Sequence, residues 1–180
     1  MKRMESKLYV SADAYLRDVF RLARRILDSG WTPDDLIALW RGGAPVGMGI
    51  HEFLYCHGFR PRHRVLKCQS YTGIESRGQE VTFEGAEAVF ESVVPSSRVL
   101  VVDDVFDTGC TARAVLGRLL PLGVDVRFAA VYWKPGANRT EQKPDFFIHE
   151  TDRWIVFPHE LDGLTPDEIM AKDPEIYALL

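Results

Sequence analysis

The chain has 180 residues, 46% of them hydrophobic and 27% charged, a balance that suits a single globular domain with a full core. A formal net charge of −4 argues against the concentrated basic surface a general nucleic-acid binder needs, and the three cysteines, Cys56, Cys68 and Cys110, form neither a CxxC zinc pair nor a disulfide framework. No apolar run is long enough to span a membrane and the N-terminus carries no signal-like apolar stretch, so the expectation is a soluble cytoplasmic protein without a membrane or nucleic-acid partner.

Between Ser11 and Ser29, Ala12, Tyr15, Leu16, Val19, Phe20, Leu22, Ala23, Ile26 and Leu27 recur at helical spacing, with Ser11 as the candidate N-cap and Gly30 as the stop. "DDLIALW" predicts a buried strand, "RGG" a glycine turn, and the segment from about Pro45 a helix. "RVLKCQSY" predicts a second strand. Thr72 to Gly85 mixes glycine, serine and charge with little periodicity and reads as a loop or loose hairpin. Val99 to Val102 make a third strand, "TARAVLGRLLPLG" a helix, "VDVRFAAVYW" a fourth strand and "DFFIHE" a fifth. Near the end, "GLTPDEIM" predicts a helix with Thr165 at the N-cap, Pro166 at N1 and Glu168 at N3. The alternation predicts an α/β fold, a mostly parallel five-stranded sheet flanked by helices.

The chemistry gathers behind the third strand, in "VLVVDDVFDTGCTA" at 99–112. In such sheets ligands bind beyond the carboxyl ends of the strands. Gly109 permits a tight turn there, and the backbone N–H groups around Thr108, Cys110 and Thr111, with the two threonine hydroxyls, make an anion nest at a helix N-terminus that suits a phosphate monoester. Asp103 and Asp104 are acceptors for vicinal sugar hydroxyls, or for Mg²⁺ held by those hydroxyls and a diphosphate. Taken singly, Asp107 and Thr108 are a helix cap and the acid pair a solvated strand end. The whole string favours one ligand, a phosphorylated ribose with a metal.

This string resembles the diphosphate-sugar signature of the type I phosphoribosyltransferases, and the resemblance runs from about residue 35 to 163. It implies that family's fold, with a single domain over 1–180, a core at about 31–150, and a small hood from the C-terminal segment at about 151–165. "WRGGAPVG" resembles the family's pyrophosphate loop, which implies Arg41 and Gly42 as ligands of the diphosphate and a cis peptide at Trp40–Arg41. "QSYTGIESRG" resembles its closing loop, through Ser70 and Tyr71, with Arg77 available to the diphosphate. "VYWKPGANRTEQKPDFFIHETDRWIVFPHE" is similar to the purine half of the 6-oxopurine branch. There Lys134 would meet O6, while Trp154, Ile155 and Glu160 would line the base, and His159 stands where close relatives carry tryptophan.

The activity implied is transfer of phosphoribose from 5-phosphoribosyl 1-diphosphate to a 6-oxopurine. Asp107 would serve as the catalytic residue near purine N7, Mg²⁺ as the cofactor with Asp104 as its contact, and a homodimer or homotetramer as the assembly. The alternatives are a regulatory protein of the same fold that senses phosphoribosyl diphosphate, and a transferase for another base. Other signals do not complete: "HEFLY" at 51–55 has Tyr55 where the zinc motif HExxH needs histidine, and Cys110 has Leu116 where a cysteine phosphatase needs arginine. His57, His63 and His149 lack partners at metal spacing and read as surface histidines.

Overall fold

The computed structural model describes residues 7–71 and 80–180. In chain order the elements are β1 (Leu8–Tyr9), α1 (Ala12–Asp28), β2 (Asp35–Trp40), α2 (Gly43–Cys56), β3 (Arg62–Tyr71), β4 (Glu80–Glu84), α3 (Ala86–Glu91), β5 (Arg98–Phe106), α4 (Cys110–Leu119), β6 (Asp125–Trp133), β7 (Phe146–Glu150), β8 (Ile155–Val156), α5 (Pro166–Lys172) and α6 (Pro174–Tyr177), with a 3₁₀ turn at Leu120–Leu122. Contacts divide the chain into two units, Arg17–Asp152 and Met1–Leu16 with Arg153–Leu180.

The larger unit holds a six-stranded sheet in the order β4-β3-β2-β5-β6-β7. Its five expected strands pair in parallel, and β4 adds an antiparallel edge against β3. That sixth strand corrects the five-stranded expectation, and it lies inside the segment read as a loop or loose hairpin, the second of which suits its antiparallel pairing. Its alternation of Val81 and Phe83 with polar residues spans only five positions beside glycine and charge, too short a run for period two to stand out. Phe83 nonetheless packs against the main core cluster.

Period two sorts the central strands between two apolar layers. On β2, Ile37 and Leu39 join Val99 and Val101 of β5 in a cluster with Phe90 of α3 and Val115 and Leu119 of α4. The alternate residues, Leu36 and Ala38, lie against Gly47 of α2. The strand order fixes where a ligand can enter. From β2 the chain moves to β3 on one side and returns to β5 on the other, so the loops leaving β2 and β5 diverge at a topological switch point.

The opposite end of the sheet is closed by charge. Asp35 is fully buried, and its carboxylate receives Arg62 at 2.8 and 2.5 Å and Arg64 at 2.5 Å. Burial pushes this carboxyl up, but the two guanidiniums more than offset it and hold it below the usual carboxylate range. His149, read as a surface histidine, keeps 42% of its side chain exposed and also places Nε2 2.7 Å from the buried Asp18 of α1. The two residues lie 131 positions apart in sequence, beyond the reach of spacing arguments.

In the smaller unit β1 pairs in parallel with β8, each only two residues long. Leu8 N–H donates to Trp154 O at 2.7 Å and Val10 N–H to Val156 O at 3.1 Å. Tyr15 meets Phe157 edge-on at 5.6 Å. The predicted helix α5 carries its full capping box, Thr165 accepting from Glu168 N–H while the Glu168 side chain accepts from Thr165 N–H. Among the described residues no helix is long and apolar enough to cross a membrane.

Candidate active site

The carboxyl ends of β2 and β5 bring the two motifs together. The Trp40–Arg41 peptide is cis, as the resemblance implied. It delivers the chain into Gly42, which lies so close to Asp104 that a Cβ there would stand 2.1 to 2.4 Å from all three carboxylate atoms. Any side chain at that position would displace the Asp104 carboxylate, and the expected diphosphate loop and acid pair therefore form one place. Arg41 itself is exposed at this mouth.

Asp103 and Asp104 are the last acids of β5 before the chain leaves the sheet. Asp104 is buried, and its N–H donates to Asp103 Oδ1 at 3.0 Å. Burial foremost, then the neighbouring Asp104 charge, hold the Asp103 carboxyl well above the usual range, although the Asp104 and Gly43 N–H groups pull the other way. Burial first, then the Asp103 carboxylate, push the Cys68 thiol of β3 up to about 12. Negative charge is thus concentrated where the sequence asks for a cation.

Beyond β5, residues Asp103, Asp107, Thr108, Gly109 and Thr111 line a cavity of about 230 Å³, floored by Phe106, Ala112 and Phe128. Gly109 adopts φ +76° and turns the chain into α4. Cys110 N–H donates to Thr108 Oγ1 at 3.4 Å, and the Cys110 side chain is buried. Lys134, at the end of β6, donates its N–H to Phe106 O at 2.9 Å and places Nζ 3.4 Å from Asp107 Oδ2. The residues expected to catalyse and to read the base are therefore neighbours, although they stand 27 positions apart in sequence.

Other expected residues lie elsewhere. Ser70 and Tyr71 end β3, past Lys67, which is level with Trp40 of β2, and they pair with Val81 and Glu80. Arg77 lies outside the described residues. Trp154, Ile155 and Glu160 belong to the smaller unit, where Trp154 is 59% exposed, Ile155 is buried in β8, and the Glu160 carboxylate accepts Phe157 N–H at 3.1 Å. Lys172 of α5 donates to Phe157 O at 2.7 Å and Glu160 O at 2.5 Å, a tie that sequence reading missed. It also missed the loop after Lys134, where Arg139 N–H donates to Thr108 O at 2.9 Å. "KPGANRT" signals a turn, but nothing in it names the nest as its partner.

The phosphoribosyl transferase domain model matches residues 9–162. A xanthine-guanine phosphoribosyltransferase from Desulfotalea psychrophila is 31% identical over 156 residues, 86% of each chain. A purine phosphoribosyltransferase from Pyrococcus horikoshii superposes with a TM-score of 0.69 at 27% identity, over 88% of this chain and 97% of that one. A hypothetical protein from Neisseria gonorrhoeae with bound ppGpp superposes with a TM-score of 0.74, also at 27% identity, over 89% and 93%.

Proposed function

Because this chain belongs to the phosphoribosyl transferase domain family, we propose that it is a purine salvage enzyme joining hypoxanthine, guanine or xanthine to 5-phosphoribosyl 1-diphosphate, with release of pyrophosphate. The observation that carries the base class is the Lys134–Asp107 pair, an ammonium donor 3.4 Å from a carboxylate acceptor at the edge of the cavity. O6 and N7 lie side by side on one edge of a 6-oxopurine, so Lys134 donates to O6 while Asp107 accepts from N7–H. Adenine presents an amino group at that position and meets the lysine donor to donor.

In the reaction the C1–oxygen bond to pyrophosphate breaks as N9 bonds C1, and positive charge builds on the ribose between the two events. Asp107 holds or accepts the N7 proton as the ring gains positive character. The nest from Thr108 to Thr111 anchors the 5-phosphate, and Arg41 with the Gly42 backbone meets the departing diphosphate. Ser70, Tyr71 and Arg77 close over the diphosphate and exclude water. Trp154, Ile155 and Glu160 form the base-facing wall.

The donor set also suits Mg²⁺: Asp104 and Asp103 offer hard oxygens against a glycine cradle, and the raised Asp103 carboxyl marks charge that a cation would relieve. When bound through Asp104, the ion would neutralise charge on the diphosphate. The same family reading assigns a homodimer or homotetramer, which sedimentation velocity tests.

The Neisseria neighbour's ligand supports one further reading of this site. A guanine nucleotide carrying diphosphates presents a 6-oxo base and anionic groups to the same two subsites, and ppGpp is expected to inhibit in competition with phosphoribosyl diphosphate.

The primary test is pyrophosphate release from phosphoribosyl diphosphate and Mg²⁺, with hypoxanthine, guanine, xanthine, adenine and orotate in parallel. Turnover with a 6-oxopurine and none with adenine is the expected result. Silence with all five bases alongside binding of phosphoribosyl diphosphate would replace the enzyme with the sensing protein of the same fold.

A further inference from the structure

The segment that leaves β6 touches the nest at three points. Arg139 N–H takes Thr108 O at 2.9 Å. A Cβ on Gly109 would lie 2.4 Å from Thr140 Oγ1 and 2.7 Å from Asn138 Oδ1, so both side chains press directly on the turn that aims the nest. Asn138 fixes that contact from within the loop. Its Oδ1 accepts from Thr140 N–H at 3.0 Å and Thr140 Oγ1–H at 2.9 Å, while Nδ2 donates to Gln142 O at 2.7 Å. The first residue of the same segment is Lys134, which faces Asp107.

Folding stability alone does not account for this arrangement. The loop keeps Gln142 Oε1 buried without a hydrogen-bond partner, a cost to the folded state, and it crowds a left-handed glycine rather than capping it with a donor. Bracing the nest does account for it. With Thr108 O already taken by Arg139 N–H and Gly109 held from behind, the backbone at 108–109 is fixed against rotation while its cavity side stays open to an anion.

We propose that Asn138 and Thr140 are positioning residues for the ribose 5-phosphate, bracing the Thr108–Gly109 turn from the same loop whose first residue meets the purine. This rests on the function proposed above, and it adds that the base and phosphate subsites share one scaffold.

The test compares Asn138→Ala, Thr140→Val and Thr140→Ser with wild type, in steady-state kinetics and in direct calorimetric binding of ribose 5-phosphate. In Asn138→Ala and Thr140→Val, KM for phosphoribosyl diphosphate should rise about tenfold and ribose 5-phosphate affinity fall by a similar factor, with kcat and the KM for base within about twofold. Thr140→Ser keeps the hydroxyl and should stay near wild type. Unchanged ribose 5-phosphate affinity in both disruptive variants would overturn the inference, even if their melting temperatures fell. A wild type that binds ribose 5-phosphate but turns over no base would overturn the proposed function and leave this inference to the binding measurement. Where Asn138→Ala fails to fold, the Thr140→Val and Thr140→Ser pair decides.

Discussion

The nest and the turn in the segment expected to form the hood are built in opposite ways. The nest comes from one run of chain, in which the last residues of β5 and the first of α4 supply the acids, the left-handed glycine and the helix N-terminus within Asp103 to Thr111. The hood turn at Phe157–Glu160 is stitched from two distant stretches: the N-terminal one, where β1 pairs its strand and Lys7 O accepts from Arg153 at 2.8 Å, and α5, whose Lys172 ties its carbonyls. A contiguous turn draws all its chemical groups from one stretch of backbone, and the 138–140 loop only braces it from outside. A turn held from afar depends on contacts that form late and are individually weak. Perturbing the first should change catalysis or the binding of phosphoribosyl diphosphate, and perturbing the second should change affinity for the base and local stability.

The largest expected effect lies in the contiguous region. Asp107→Asn keeps shape and a hydrogen-bonding oxygen but removes the negative charge beside Lys134, and kcat should fall by about 10²- to 10⁴-fold with the melting temperature little changed. A loss under tenfold would mean that this turn binds substrate without taking part in chemistry, and the contrast with the hood would break.

Next comes a long-range tie within the larger unit. Asp35→Ala leaves Arg62 and Arg64 without their shared buried acceptor, and should cost about 3 kcal/mol in chemical denaturation, the low end for a broken buried pair because Arg62 still reaches water. The pH dependence has a definite sign. The folded Asp35 carboxyl lies below its ordinary value of 3.8, so its stabilisation is complete above that value and is lost as pH falls through the lower folded one. The gap between wild type and variant should therefore hold constant from neutral pH to about 4 and close in stronger acid. A gap that closes above pH 5 would rule out this carboxylate as its source.

Gly109→Ala tests the nest as backbone. At φ +76° an alanine is strained, and its methyl would also meet Thr140 and Asn138. We expect about 1–2 kcal/mol of destabilisation together with a raised KM for phosphoribosyl diphosphate. Destabilisation with an unchanged KM would assign Gly109 to folding alone.

The same contrast explains what the sequence made legible. The parallel strands were readable because apolar runs such as "DLIALW" and "VRFAAVYW" are buried on both faces, and the nest because its residues are consecutive. Strand β4 was legible no further than a choice between loop and loose hairpin, since five alternating residues among glycines and charges carry too little pattern. The Asp18–His149 contact, the bracing of Gly109 by Asn138 and Thr140, and the Lys172 tie were invisible for a different reason. Each side chain is unremarkable in its own neighbourhood, and only the packed chain brings it to its partner.

The smallest expected effect belongs to that last tie. Lys172→Met keeps the apolar stem and removes the ammonium that serves Phe157 O and Glu160 O, which should cost about 1 kcal/mol. Because the turn carries base-facing residues in the proposed function, the KM for the purine should rise about threefold while that for phosphoribosyl diphosphate holds. Burial lowers the Lys172 pKa from its ordinary 10.5, with Glu160 and Asp173 opposing. A lowered folded value means the unfolded chain binds more protons between the two values, so this lysine's charging penalty fades as pH rises toward 10.5. Wild type should accordingly gain stability relative to Lys172→Met over that alkaline window. A variant whose two KM values move together would show that the hood turn and the nest respond as one piece, the outcome that most directly contradicts their separate construction.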